Sequence, residues 1–283
     1  MAFNQQQLEK QGIYEGKASL PSLLADLEQV GKLAESIAAR QRAQAKTGGW
    51  IMLAGLIGSI ACAAFGLLTL MGLCVLLILF GFGYWIYSYF NGSKAREHRS
   101  RVEIARQRLN MIAQDASEKS PFTLRLALGS TPTKLSDEKW NRRKNGHQQC
   151  FEEEWFTFEG RLLDGTLLSD EIKELTRKRT FSNARGKSKT KSRVTSLINI
   201  RFTYPTDTYG DARPAEKALH EKIRVSPQSF VRGVRVTEKA IIVKAIVKTE
   251  GEIVQTLGML SVGAYRILNL ARRMAAGQRG TTK

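Results

Sequence analysis

Residues 50–90 read WIMLAGLIGSIACAAFGLLTLMGLCVLLILFGFGYWIYSYF, a run that contains no Asp, Glu, Lys, Arg or His. A transmembrane helix needs about 20 apolar residues to cross a hydrocarbon core of ~30 Å, and this run is about twice that long. Two spans placed back to back fit it, with a short turn between Gly66 and Gly72. The sequence therefore predicts a transmembrane helical hairpin over residues 48–91.

Basic residues flank both ends of this run. Arg40, Arg42 and Lys46 precede it, and Lys94 and Arg96 follow it. Basic residues near the ends of membrane helices stay on the cytoplasmic side. The flanks thus predict an integral protein of the lipid bilayer, with both termini and most of the chain in the cytoplasm. The expected location is a bacterial inner membrane, with an organelle membrane as the alternative.

Small residues recur at every fourth position of the first predicted span, at Ala54, Gly58, Cys62 and Gly66. In lipid, such a stripe lets two helices approach each other closely. We expect these transmembrane packing residues either to contact the hairpin's own second helix or to join neighbouring copies into a homo-oligomer.

Two amphipathic helices are predicted beside the hairpin, over residues 20–47 and 92–118. Their apolar residues follow alternating spacings of four and three, which is typical of a short coiled coil. The two helices would pair as an antiparallel stalk or join a bundle of several copies. Residues 1–19 are predicted to be a flexible N-terminus. The apolar seams contain Leu23, Leu27, Val30, Ala34 and Ile37 in the first helix, and Val102, Ala105, Leu109, Ile112 and Ala116 in the second.

A change of period predicts a cytoplasmic β-rich domain over residues 119–252. Apolar and polar residues alternate over 194–204, and Asp164-Gly165 is typical of a hairpin turn. Five to seven such strands predict a small barrel or sandwich. Residues 253–283 are predicted to form a C-terminal amphipathic helix and tail. The predicted fold class is therefore membrane α+β.

The charge of the chain is concentrated in one segment of this domain. The net charge is +18, and residues 173–201 contain ten cations but only Glu174 as an acid. Side chains two residues apart in a strand share a face, so alternate cations predict a basic β-arm. The predicted anion-binding residues are Arg177, Lys178, Arg179, Arg185, Lys187, Lys189, Lys191 and Arg193.

Anionic lipid head groups, nucleic acid or a nucleotide are the partners that such an arm would suit, and a protein partner is a further possibility. Phosphates of lipids or nucleic acids attract clustered lysine and arginine. The alternative is that the cations only keep an exposed strand edge from pairing with other chains.

The sequence offers no set of catalytic residues. Gly186-Lys187-Ser188 resembles the end of a P-loop, but Phe181 stands where the first glycine is needed. We predict no enzyme, no cofactor and no metal. Two functions remain: a membrane-anchored scaffold that oligomerises through its hairpin and stalk and engages an anionic partner, or a membrane effector whose β domain senses a cytosolic ligand and rearranges the hairpins to disrupt the membrane.

Overall fold

The computed structural model describes residues 12–64, 68–117, 120–129, 132–139, 146–182, 187–218 and 225–280. The chain divides into two compact units. One contains residues 1–26 and 104–283, and the other contains residues 27–103. The class is α+β, with one eight-stranded antiparallel sheet in the larger unit.

The helices are α1 (Leu20–Ala64), α2 (Leu68–Ile112), the short α3 (Thr206–Tyr209) and α4 (Ile253–Gly280), with 3-10 turns at Ala113–Asp115, Arg213–Ala218 and Glu250–Glu252. The strands are β1 (Ile13–Ala18), β2 (Phe122–Ala127), β3 (Thr133–Lys139), β4 (His147–Arg161), β5 (Leu167–Ser182), β6 (Ser188–Thr203), β7 (Ser229–Val236) and β8 (Ala240–Val247).

The predicted transmembrane hairpin is wrong, and so are the predicted membrane fold class and the predicted inner-membrane location. Within the described ranges, the structure has no helix that is both long enough and apolar enough to cross a membrane. The apolar run is divided between the end of α1 and the start of α2, and each of these 45-residue helices continues into a charged half. Each of these two described helices therefore joins an apolar stretch to a charged one, and neither is long and apolar enough for a span.

In the unit of residues 27–103, α1 and α2 contact each other at glycines. A Cβ placed on Gly55 would lie 3.0 Å from the carbonyl oxygen of Cys74, and one on Gly81 would lie 2.9 Å from the backbone nitrogen of Met52. Such distances leave no room for a larger side chain, because the atoms met are backbone atoms of the facing helix. Glycine therefore sets the spacing of the helix pair.

The predicted stripe of small residues coincides with this contact in part. Gly58 faces the Cys74 Sγ, at 2.9 Å from an added Cβ, whereas Ala54 is exposed. The side chain of Cys62, and Gly66 as a whole, lie outside the described residues. Gly58 thus packs against α2 of the same chain. The neighbouring contact is made by Gly55 and not by Ala54.

The charged halves of the same two helices carry the predicted apolar seam. Val30 and Ala34 of α1 and Val102 of α2 are buried. Arg99 and Glu35 form a salt bridge of 3.2 Å between the helices. The two segments are therefore continuous with the apolar halves and lie alongside each other.

The sheet of the larger unit is open, so the predicted barrel or sandwich is wrong. Its strand order is β1-β2-β4-β5-β6-β8-β7, with β3 also paired to β4. One face is the hydrophobic core, because alternate residues such as Ile172, Ile198 and Ile200 are fully buried there. Helix α4 packs on this face against β6 and β8. We refer to the opposite side of the sheet as the outer face.

The edge strand β1 lies in the segment that was expected to be a flexible N-terminus. It pairs with β2 from Ile13 to Ala18. The Tyr14 hydroxyl donates a hydrogen bond of 2.7 Å to Asp26 Oδ2 at the start of α1. Burial, and then this bond, raise the pKa of Tyr14 above its ordinary value. Residues 1–11 lie outside the described residues.

Strands β4, β5 and β6 are unusually long, with 15 or 16 residues each. Strand β5 is paired with β4 and with β6 along almost its whole length. Strand β8, in contrast, pairs with β6 only from Ser196 to Thr203. The first half of β6 is therefore an edge, whereas β5 is an interior strand from Leu167 to Thr180. This half of the sheet contains the candidate site.

Candidate anion-binding face

The register of β5 and β6 places the predicted cations directly opposite one another. Arg177 pairs with Arg193, and Arg179 pairs with Lys191. Directly opposite residues of an antiparallel pair project from the same side of the sheet. Lys189 has the same parity and lies opposite Phe181. We call Arg177, Arg179, Lys189, Lys191 and Arg193 the basic face; it forms part of the outer face.

The other predicted residues fall in three different places. Lys187 directly precedes β6 with the parity of the basic face, and it is exposed. Lys178 projects from the opposite side of the sheet, where its Nζ lies 5.0 Å from the centroid of the Phe151 ring. Arg185 lies outside the described residues. The sequence grouped Lys178 with its neighbours because a run of three adjacent cations does not reveal which of them share a face.

Further along the outer face, cations are matched by acids. Lys173 lies 2.8 Å from Glu171 and 3.3 Å from Glu154, and Glu152 is 3.6 Å away. The hydrogen bond with Glu171, together with the neighbouring negative charges, raises the pKa of Lys173 above its ordinary value. Every charge in this group therefore has an opposite partner.

The carboxylate of Glu171 is likewise matched by a neighbouring cation. Burial would raise its pKa, but hydrogen bonds from Lys173 and from Asn199, the latter at 3.1 Å, lower the pKa below the ordinary value. Arg125 extends the network to the sheet edge through Glu154 at 3.4 Å and Glu15 at 3.0 Å. This half of the outer face is a network of matched charges.

Four of the five cations of the basic face lack this compensation among the described residues, namely Arg177, Lys189, Lys191 and Arg193. Within the described ranges, no carboxylate lies within 4.0 Å of the charged groups of Arg177, Lys189, Lys191 or Arg193. The Arg179 Nε donates a hydrogen bond of 2.8 Å to the neutral side chain of Gln148. Like charges placed directly opposite each other on a sheet are destabilising. The folded chain therefore holds a cluster of positive charge that an anion would relieve.

A buried ion pair elsewhere in the same unit was missed by the sequence reasoning. Arg108 of α2 contacts Asp170 of β5, with Nε 2.7 Å from Oδ2, and both side chains are almost completely buried. The Arg108 Nη2 also donates a hydrogen bond of 2.9 Å to Ser261 of α4. The signal was present in the sequence, because Asp170 has the parity of the core residues Leu168 and Ile172.

The fold and the site together define an α+β protein with an open antiparallel sheet, helix-covered on one face and strongly basic on part of the other. Comparisons of the chain with protein-family models, with curated proteins and with solved structures found no match.

Proposed function

We propose that this protein binds nucleic acid through the phosphate backbone, with the basic face as the contact surface. The observation that supports this most directly is the pair of opposed cations, Arg177 with Arg193 and Arg179 with Lys191. Binding of phosphates by such groups releases counterions and does not depend on base sequence. The proposed activity is therefore electrostatic and independent of sequence.

The spacing of the cations suits a phosphate backbone. A strand rises about 3.4 Å per residue, so every second side chain recurs after about 6.8 Å. Phosphates recur every 3.4 Å of axis along each strand of B-DNA, so a row of cations with this repeat can contact several phosphates of one backbone. Lys189, Lys191 and Arg193 provide three such cations in a row, separated by two steps.

Protection of a strand edge accounts for only part of this arrangement. Lysines on an exposed edge discourage pairing with other chains, and the first half of β6 is such an edge. Arg177 and Arg179, however, belong to β5, which is paired on both sides. An interior strand has no edge to protect, so these two cations favour a bound anion.

Nucleic acid is favoured over the other anions that the sequence suggested. Lipid head groups were attractive because a membrane anchor would hold them close, and that anchor is absent from the described structure. A single nucleotide needs a concave pocket, whereas these cations lie along extended strands. The alternative of a membrane effector depended on the same anchor.

The test compares two full-length variants with the same net charge. The basic-face variant is Lys189→Gln/Lys191→Gln/Arg193→Gln. The control variant is Lys17→Gln/Arg232→Gln/Lys239→Gln, which removes three exposed cations remote from the basic face. Binding is measured by fluorescence anisotropy with a labelled 24-base-pair duplex and a 24-nucleotide RNA.

We expect the basic-face variant to bind about 10- to 100-fold more weakly than the wild type, and the control variant to bind within about threefold of it. The melting temperature of the basic-face variant should not fall, because the substitutions remove like charges that face each other. Equal losses in both variants would mean that net charge alone attracts the nucleic acid. Binding of phosphatidylglycerol vesicles without binding of either oligonucleotide would contradict the proposal, as would aggregation of the basic-face variant with unchanged affinity.

We also propose that the chain self-associates through the apolar half of the α1–α2 pair. Large apolar side chains on this surface are well exposed, among them Trp50, Ile60 and Leu76 at 64–70%. A contiguous apolar surface of this kind marks an interaction site, and its burial contributes about 25 cal/mol per Å². Every copy of the chain presents the same surface, so a second copy is the partner that is always available.

Sedimentation equilibrium of the full chain tests this second proposal. We expect a discrete oligomer for the wild type, and a shift towards monomer when Ile60 and Leu76 are changed to serine. A monomer at all concentrations would contradict it. So would a monomer that stays in solution only in detergent micelles, because something other than a second copy would then cover the apolar surface.

A further inference from the structure

A cavity of about 690 Å³ lies on the core side of the sheet, within the larger unit. The end of α2, the turn between β4 and β5, and helix α4 surround it. This volume lies within the ~300–1,000 Å³ typical of small-molecule sites. The basic face does not contribute to its lining, so the cavity has no part in the binding of nucleic acid proposed above.

The rim of the cavity is apolar and exposed. Met111, Leu163 and Val262 line it, with exposed fractions of 44%, 67% and 53%. They are three of the seven large apolar side chains that are exposed in the described part of residues 104–280. Their concentration around one opening favours a ligand with an apolar body, because such side chains otherwise scatter singly over a surface.

Two arginines provide the positive charge of the cavity. The Arg108 Nε and Nη2 are used by Asp170 and Ser261, and no described group bonds its Nη1. Arg266 of α4 also lines the cavity, is exposed, and forms no salt bridge with a described carboxylate. Asp170 holds Arg108 in place and balances its charge, so Arg266 is the cation left for an anionic head group.

Two acids line the cavity, Asp115 and Asp164. Asp115 is exposed, whereas Asp164 is already occupied by hydrogen bonds. The Tyr209 hydroxyl donates a hydrogen bond of 2.6 Å to Asp164 Oδ2, and the Thr166 hydroxyl donates one of 2.9 Å. Burial would raise the pKa of Asp164, but these bonds lower it below the ordinary value. The carboxylate is therefore charged and satisfied, and it holds a tyrosine ring against the cavity wall.

We propose that this cavity binds a small amphiphile with one anionic head group, which lies at Arg266 and within reach of Arg108, and with an apolar body held by Met111, Leu163 and Val262. A carboxylate and a phosphate both suit arginine, because each accepts two parallel hydrogen bonds. The experiment therefore includes both kinds of head group.

Isothermal titration of the full chain uses three probes with the same alkyl chain: dodecanoate, dodecyl phosphate and uncharged dodecanol, each below its micelle-forming concentration. Two variants test the two ends of the site, Leu163→Asp for the apolar rim and Arg266→Gln for the charge. Two matched controls lie elsewhere: Leu135→Asp, at a position 56% exposed on β3, and Arg232→Gln on β7.

We expect one molecule of an anionic probe to bind per chain, and dodecanol to bind at least tenfold more weakly. Leu163→Asp and Arg266→Gln should each weaken binding at least tenfold, whereas the two controls should not change it. The better anionic probe identifies the head group. Equal binding of dodecanol, no binding of any probe, or uptake of several molecules that none of the variants reduces would overturn the proposal. The last result would indicate adsorption to the apolar half of α1 and α2.

Discussion

Substitution of Asp170 by alanine is expected to lower the free energy of unfolding by about 3–5 kcal/mol, because it leaves the buried charge of Arg108 without its partner. Arg108 is only 2% exposed, and its Nε lies 2.7 Å from the Asp170 carboxylate. The alanine variant cannot neutralise the guanidinium, which keeps its proton in proteins. Urea unfolding followed by circular dichroism measures the loss.

A surface ion pair of the same chemistry serves as the control. Asp211 and Arg213 are 2.7 Å apart but partly exposed, so Asp211→Ala should cost at most about 1 kcal/mol. The double change Arg108→Met/Asp170→Leu should recover most of the stability, because an apolar pair of similar volume needs no charge compensation. If Asp170→Ala costs no more than Asp211→Ala, the ion pair is not buried as described.

Substitution of Gly160 by valine is expected to cost about 3 kcal/mol or more, because the ring of Phe122 occupies the place of a side chain. A Cβ built on Gly160 would overlap that ring. Phe122 is fully buried, and it stacks on Phe158 with ring centroids 5.5 Å apart, so it cannot move aside. Thermal unfolding of the variant measures the effect.

Gly233 offers a matched control on β7, since no described atom beyond its two chain neighbours lies within 4 Å of a Cβ placed there. Gly233→Val should change stability by less than about 0.5 kcal/mol. Phe122→Ala combined with Gly160→Val should cost less than the sum of the two single changes, because the smaller residue makes room for the valine. Additive costs would show that the ring does not limit position 160.

The strands of the sheet could be predicted from local patterns. The alternation over residues 194–204 became β6, and Asp164-Gly165 became the turn between β4 and β5, with Gly165 in the left-handed region at φ 85°. Thr237-Glu238-Lys239 lies between the paired strands β7 and β8. These features depend on residues near each other in the chain, so the sequence contains their signal.

Features that depend on distant residues were missed. An open sheet and a closed barrel use the same alternation, and only the partners of the edge strands distinguish them. Strand β1 was missed because its pairing with β2 joins Ile13 to Ala127, across more than a hundred residues. Asp170 was not recognised as buried, because a carboxylate enters a core only with a partner such as Arg108, which lies 62 residues away in the chain.

The sequence predicted which cations of β6 share a face of the sheet, but it did not predict which residues of the adjacent strands lie beside them. Alternate cations of β6 share a face, as the spacing of two required. The position of Arg177 opposite Arg193 follows from the register, which the sequence alone did not contain. The contrast between this face and the matched charges around Lys173 likewise appears only when Glu152 and Glu154 of β4 are placed beside β5.

The most direct test of the binding of nucleic acid is the dependence of duplex affinity on salt for the full chain. With five cations of the basic face on phosphates, the logarithm of the association constant should fall with the logarithm of salt concentration with a slope of about −4.5. The slope should become shallower by about 3 units in Lys189→Gln/Lys191→Gln/Arg193→Gln and stay unchanged in the control variant. Equal slopes in the two variants, or affinity that does not respond to salt, would contradict binding of the phosphate backbone by the basic face.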